Sequence, residues 1–480
     1  MKRTFNKLLG ILAIASIAIL LPGCCNKDSE DKITKSGEKV FMYFSKDMKL
    51  PTAKDKFAAY FDFSDGMQFA YSNDTTKAVL KSMVQKITGN SDKFDMFSMQ
   101  DGSIEPLSSR TTELYNTIID PKSYNHQNAP IEKTLKKIVE DGKSALLVTD
   151  FEEYSEGRIQ QQAFATQYFE EWLKSGKDIT FFITDYKEKK NNKHLYYIVF
   201  DDPSHKLLKT IEEGMKGTDE NYKRFLLSTN AYSFTTDYPL ANGGGTYHDQ
   251  NNQDNVTVAI EDGSEESVYI NKDFKMEYYP LGGGSWTDII NNAKELQENG
   301  VDPKDRFDHL LSNLYADFSN QDSYIIDEVD IKVSDVQADF EAFDNYRIAQ
   351  QAEKPTKGEE NDYYDAVGNL KQEFVYEPKP IKEIEEMFKF DEDLFENSME
   401  KDPKNVMFAI DFDPKFTGAN ANSNLLRIDI FIKERTPNID NLAPLFSWSG
   451  NDNLMMAIKN TLQDLKTVEN PVYTYFIKLV

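Results

Sequence analysis

Two short stretches place oxygen-bearing side chains where a sheet could use them. In Phe57–Tyr71, FAAYFDFSDGMQFAY, the apolar strand Ala58–Phe63 ends on a carboxylate and a hydroxyl, Asp62 and Ser64. A tight turn at Asp65-Gly66 and a helix from near Asp74 follow. A second apolar strand, Ser144–Val148, also ends on a hydroxyl and a carboxylate, Thr149-Asp150. Open α/β sheets bind ligands at the carboxyl ends of their strands, so these side chains mark a candidate site. The competing reading gives Asp62 and Ser64 a helix-cap and turn role. Asp65, Glu152 and Glu153 read as solvated loop acids, and Thr184-Asp185 as a structural pair that ends another strand.

Nucleophilic chemistry finds little support. The two cysteines, Cys24 and Cys25, adjoin each other near the start, so the rest of the chain has no thiol nucleophile, thiolate metal site or disulfide. His126, His194, His205, His248 and His309 are scattered, with no zinc-like spacing. There is no G-x-S-x-G elbow, P-loop or H-E-x-x-H. A phosphatase of the haloacid dehalogenase type needs a second aspartate two residues after the first, where this chain has Ser64. A non-enzymatic role is therefore expected, with a metal-dependent hydrolase the weakest alternative.

The elements that would hold the site alternate. Val40–Phe44, Phe57–Phe63, Phe94–Met99, Ala145–Val148, Ile179–Ile183 and Leu195–Phe200 have strand length. Asp74 is the expected cap of a helix with Val79, Leu80, Met83, Val84 and Ile87 on one face. Ile131, Leu135, Ile138 and Val139 mark a second helix closed by Gly142. Ile159, Ala163, Tyr168, Phe169, Trp172 and Leu173 mark a third, closed by Gly176. Strands separated by helices imply βαβ crossovers and a doubly wound, mostly parallel α/β sheet over residues 40–240.

These residues resemble a known family. Asp62-Phe63-Ser64-Asp65-Gly66-Met67 is similar to the D-x-S-x-S-M opening of von Willebrand factor type A domains. Thr149-Asp150 with Glu152-Glu153 resembles the family's later T/S-D-G motif. The resemblance implies a divalent cation, Mg²⁺ or another, held at the sheet top by Asp62, Ser64 and Asp150, with a partner's carboxylate completing its shell. Magnesium takes about six hard oxygen ligands at about 2.1 Å, some of them water, and such a set suits it. Three positions depart from the pattern: the second serine falls at Gly66, the middle threonine has only Asn128 near it by order, and Phe151 replaces the glycine.

The ends of the chain suggest where it works. Lys2, Arg3 and Lys7 precede the apolar run Leu8–Leu21, too short for a comfortable membrane span. Leu21-Pro22-Gly23-Cys24 resembles the lipobox of bacterial lipoproteins. This implies a signal peptide over 1–23 and lipidation of Cys24 as the membrane anchor. Residues 24–39 read as a polar tether, and their acids Asp28, Glu30 and Asp31 resemble the surface-export signal of Bacteroidetes lipoproteins. The expected location is the cell envelope, as an outer-membrane lipoprotein. With 480 residues and a net charge of -26, a nucleic-acid partner is disfavoured on electrostatic grounds.

The second half, 241–480, reads as β-rich, an α+β or sandwich-like domain after a linker at Asn242–Gly245. Strands are expected at Val256–Ile260, Val268–Ile270, Tyr324–Val333, Val406–Phe412, Leu425–Ile432 and Val472–Leu479. Helices are expected at Trp286–Leu296, Phe307–Leu314 and Leu454–Leu465, with a long loop over 346–372. Turns are expected at Gly282–Gly284 and across Phe416–Asn424. The leading expectation is an envelope lipoprotein that binds or scaffolds another envelope or extracellular protein. The alternative is glycan binding by aromatic side chains of this half.

Overall fold

The computed structural model describes residues 27–46, 48, 56–107, 110–155, 158–160, 162–216, 218, 222–230, 233–235, 247–249, 255–259, 265–271, 274–281, 285–300, 311–317, 322–371, 382–402, 405–413, 425–448 and 451–479. Residues 1–23 (read as a signal peptide), Cys24, the expected linker at Asn242–Gly245 and the expected turns at Gly282–Gly284 and Phe416–Asn424 lie outside these residues.

The first part contains α1 (Lys27–Ser45), β1 (Phe57–Asp62), α2 (Met67–Ser72), α3 (Asp74–Thr88), β2 (Phe94–Gln100), β3 (Ser103–Pro106), α4 (Thr111–Ile119), α5 (Ile131–Asp141) and β4 (Ala145–Thr149). It continues with β5 (Tyr154–Ser155), β6 (Arg158–Ile159), α6 (Thr166–Lys174), β7 (Asp178–Glu188), β8 (Asn191–Asp201), α7 (Lys206–Met215) and β9 (Lys223–Leu227). Then come β10 (Ser233–Thr235), β11 (Tyr247–Asp249), β12 (Asn255–Ala259), β13 (Glu265–Asn271), β14 (Met276–Leu281), α8 (Trp286–Glu298), β15 (Leu311–Asp317), β16 (Tyr324–Asp335) and α9 (Gln337–Gln351). The last elements are α10 (Lys382–Glu385), β17 (Phe388–Phe390), α11 (Glu392–Lys401), β18 (Asn405–Phe412), β19 (Leu425–Pro437), α12 (Ala443–Phe446), α13 (Asn453–Asp464) and β20 (Tyr473–Leu479).

The first sheet has seven strands in the order β3-β2-β1-β4-β8-β7-β9. It is α/β and mixed, which corrects the expectation of a mostly parallel sheet. β1 pairs in parallel with β2 and β4, and the four other pairings are antiparallel. The cause is local. β7 and β8 form one long hairpin through Lys189-Lys190, with Lys189 in the left-handed region at φ 56°. β8 returns beside β4 and takes the place a parallel strand would fill. Thr184-Asp185 accordingly lies within β7 rather than at a strand end.

Both faces of this sheet are covered. On one, Ala59, Phe61, Leu146 and Val148 pack against Leu80 and Met83 of α3 and Leu207 and Ile211 of α7. The cap of α3 is Asn73, whose side chain accepts from the Thr75 and Thr76 amides at 3.1 and 3.2 Å, so Asp74 sits in the first turn instead. The other face carries α5 and α6, and beside them α12 and α13 from the far end of the chain. Phe446 meets the rings of Phe181 and Phe225 at 5.2 and 5.1 Å between centroids. Arg435 locks this return: its guanidinium stacks on Tyr324 at 3.8 Å and donates to the carbonyls of Thr229 and Lys466.

A second seven-stranded sheet runs β11-β12-β13-β14-β20-β19-β16, and a four-stranded one β10-β15-β18-β17. They share one apolar core, in which Leu314 and Phe408 oppose Ile428 and Ile430. Three local expectations are corrected here. Leu311–Leu314 starts strand β15 rather than closing a helix, because pairing with β18 buries Leu311 and Leu314. Residues 346–351 still belong to α9, so the irregular excursion begins after Gln351. Ile159 lies in the small β5–β6 hairpin, and its helix starts only at Thr166.

The N-terminal stretch differs most. Residues 27–39, read as a tether, and 40–44, read as a strand, form the single helix α1. The run VFMYF is too short for periodicity to separate strand from helix. What decides is the spacing of Gly37, Val40, Tyr43 and Phe44, which are all buried and share one helical face. Among the described residues no helix is long and apolar enough to cross a membrane.

Candidate metal centre

The parallel register of β1 and β4 sets Phe61 opposite Val148, so the two strands end side by side. Asp62 and Thr149 therefore meet: the Thr149 hydroxyl donates to Asp62 Oδ2 at 2.7 Å. The other oxygen, Oδ1, accepts from the Ser64 amide at 2.8 Å, closing a turn that sends the chain away from the sheet. Asp62 is 1% exposed and Asp150 2%. The Asp150 carboxylate accepts from the Glu152 amide at 3.1 Å and from the Tyr186 hydroxyl at 3.3 Å. Gly66 completes the closure, because a Cβ built there would stand 3.3 Å from Asp150 Oδ2.

Phe151 occupies the left-handed region at φ 62°. Glycine reaches that conformation freely, whereas another L-residue pays about 1–2 kcal/mol for it. The position that the resemblance gives to glycine is thus one where glycine would be free of strain, and Phe151 takes it instead. Two contacts hold it: the Phe151 amide donates to Thr149 Oγ1 at 3.0 Å, and its buried ring stacks on Phe164 at 5.5 Å.

Charge around the site is unbalanced. Burial raises Asp62 above the ordinary carboxylate range, against the hydrogen bonds from Ser64 and Thr149. Burial also pushes Asp150 well up, and the neighbouring charges of Glu152 and Asp62 add to the effect. The cation facing them is Lys193. Burial would lower its amine, but Asp150, Glu152 and Glu188 outweigh that and raise it. It lies 2.8 Å from Glu152 and 2.5 Å from Glu188, so two carboxylates share it. Three buried acids face one shared amine, so the ionised forms of Asp62 and Asp150 are disfavoured in the empty site, and a bound cation would favour them.

Of the candidates read from the sequence, Asp62, Ser64 and Asp150 gather on one edge, with the Thr149 hydroxyl bonded to Asp62. Asn128 lies on the adjoining segment, where its carbonyl accepts from the Asp101 amide at 2.9 Å. Asp65 is exposed, as expected of a loop acid. Glu152 is buried and Glu153 half-buried, so neither is a freely solvated loop acid. Glu152 is buried under Trp448, whose indole donates to it at 3.2 Å. Glu153 accepts from the Ile131 and Glu132 amides at 2.6 and 3.1 Å, capping α5, and burial raises its carboxyl to about 7. Sequence misleads on both because a loop acid is solvated by default, and the groups that cover Glu152 come from distant positions. Lys193, Tyr186 and Trp448 escape sequence reasoning for the same reason, although alternation along β7 puts Tyr186 on the face of Phe182.

Two carboxylates with hydroxyls nearby suit a hard divalent ion that keeps some of its waters. Among the described residues no three His, Cys, Asp or Glu side chains converge as an all-protein metal cage. Comparison of the chain with protein-family models, curated proteins and solved structures finds no match.

Proposed function

We propose that the chain is an envelope lipoprotein that binds or scaffolds a protein partner through a divalent cation held at Asp62, Ser64 and Asp150. The observation that carries this reading is the burial of three acids, Asp62, Asp150 and Glu152, around one shared lysine at the carboxyl ends of two parallel strands. In this reading the domain is von Willebrand factor type A-like and its sheet is a mixed variant of the doubly wound plan. The cation, Mg²⁺ or another of its class, supplies a Lewis-acidic centre with open positions, and a partner's carboxylate takes one of them. Asp62 and Asp150 hold it directly. Ser64 adds a hydroxyl, and Thr149 keeps Asp62 oriented. Cys24 carries the lipid anchor.

Titration calorimetry of the chelator-treated chain with Mg²⁺, Mn²⁺ and Ca²⁺ tests the site. The expected outcome is saturation near one cation per chain, lost in Asp150→Asn. Absence of heat with every ion, in a chain that remains folded by circular dichroism, removes the metal reading. Partner capture that survives chelator would separate binding from the cation.

A further inference from the structure

The apolar face of α1 is built into the second sheet. Gly37, Val40, Tyr43 and Phe44 lie in one cluster or contact with Tyr269, Met276, Tyr278 and Phe476. A Cβ on Gly37 would stand 2.3 Å from Cγ of Tyr269, so the helix backbone rests on that ring. Phe340 and Phe343 of α9 meet the Tyr43 ring edge-on at 5.8 Å, closing the groove from the other side. Lys39 pairs with Asp344 at 3.2 Å. A flexible spacer makes no such contacts.

Only Cys25 and Asn26 separate Cys24 from the first residue of this helix. Three steps of backbone reach at most about 11 Å. A flexible coil over residues 26–39 would instead allow an r.m.s. excursion of about 20 Å, in any direction. We propose that the lipid anchor is fixed to the second module through α1, so that this module, packed on the helix from Ile33 onward and so within about 9 Å of helix from Lys27, is the part of the chain held next to the lipid surface. The order along the chain would suggest the opposite, with the first α/β sheet next to the membrane. The acyl chains supply the attraction, because the processed chain, whose net charge falls from -26 to -29 with the loss of Lys2, Arg3 and Lys7, is repelled by anionic headgroups. This inference rests on the lipoprotein reading above.

The test uses the full chain, processed and reconstituted in phosphatidylcholine vesicles. All forms carry Lys27→Gln, which removes the tryptic site at the junction. One form has a ten-residue Gly/Ser spacer containing a single lysine between Asn26 and residue 27. Trypsin is expected to release the folded body from the spacer form at least tenfold faster than from the form without it, in which Lys32, Lys35 and Lys39 stay uncut. Equal release through cuts at those three lysines overturns the fixed anchor. Contact with the lipid surface is read separately, with a fluorophore at Lys35→Cys in a Cys25→Ser background and a headgroup-level quencher. Quenching should fall at least twofold when the spacer is added, and unchanged quenching overturns the seating. Mass spectrometry of the N-terminal peptide keeps the two ideas apart. An unmodified Cys24 removes the anchor reading itself and leaves the docking of α1 to be judged by its resistance to trypsin.

Discussion

Gly66 offers a test by gain rather than loss. Its backbone is right-handed helical, φ -57° and ψ -32°, so an L-residue fits without strain. A side chain there would start 3.3 Å from Asp150 Oδ2, a contact that a shift of a few tenths of an ångström relieves. In Gly66→Ser the new hydroxyl falls within hydrogen-bond reach of Asp150. Without cation it hydrogen-bonds to that carboxyl, worth about 0.5–1.5 kcal/mol while the raised Asp150 is neutral and about 1.5–3 kcal/mol once it ionises, and the lost glycine entropy adds about 0.4–1 kcal/mol. With cation it supplies one more oxygen in place of a water. Its own gain is then on the order of 1 kcal/mol, or about a fivefold tighter dissociation constant. Calorimetry and thermal unfolding of the two proteins measure both effects. A serine variant that is more stable yet binds the cation no better would refute the placement of the metal between this turn and Asp150. A variant that unfolds earlier would refute the assumption that the turn has room.

Three further outcomes follow from burial and charge. Asp62 and Asp150 titrate above the ordinary carboxylate range, so the cation-free chain should be most stable when they are protonated and lose stability as pH rises from about 4 through their folded values. Saturating Mg²⁺ should oppose that loss, and a melting temperature that climbs with pH without the ion would contradict the burial of these acids without enough opposite charge. Glu277 is fully buried in the second module, and burial raises it to about 8. Its ionisation should cost on the order of 5 kcal/mol by pH 9, so Glu277→Gln should flatten the alkaline stability profile, as measured by urea unfolding between pH 6 and 9. Arg435→Met keeps the bulk but strands the carbonyls of Thr229 and Lys466 and loses the Tyr324 stack, for an expected loss of about 3 kcal/mol. A loss below 1 kcal/mol would mean that the return of β19 is held by apolar packing alone.

The first module is legible in the sequence wherever local chemistry decides. The strand ending at Asp62, the helix faces around Leu80 and Leu135, and Gly142 with its left-handed φ of 57° all follow from spacing and turn residues. The candidate acids are legible because a carboxylate after an apolar strand has few places to go. What stays hidden depends on pairings at long sequence separation. No local signal says that β8 returns beside β4, and none says that Trp448 covers Glu152 from 296 positions away. In α1 the polar half of the sequence outweighs the buried stripe, because a helix that covers a sheet from outside needs apolar residues on one side alone.

The packing of α12 and α13 on the first sheet has a consequence for biogenesis. The strands of that sheet are all synthesised by Leu227, but the part of one face beside α5 and α6 stays uncovered until residues 443–464 emerge. At about 5–20 residues per second the wait is roughly 10–50 s. Throughout it Phe181, Tyr196 and Phe225 lack the partner ring of Phe446. Loops that close over such a separation form slowly. A ribosome-bound or half-translocated chain would therefore present a sticky surface to holdase chaperones, and one truncated near residue 240 would be recovered as aggregate rather than as a separate domain.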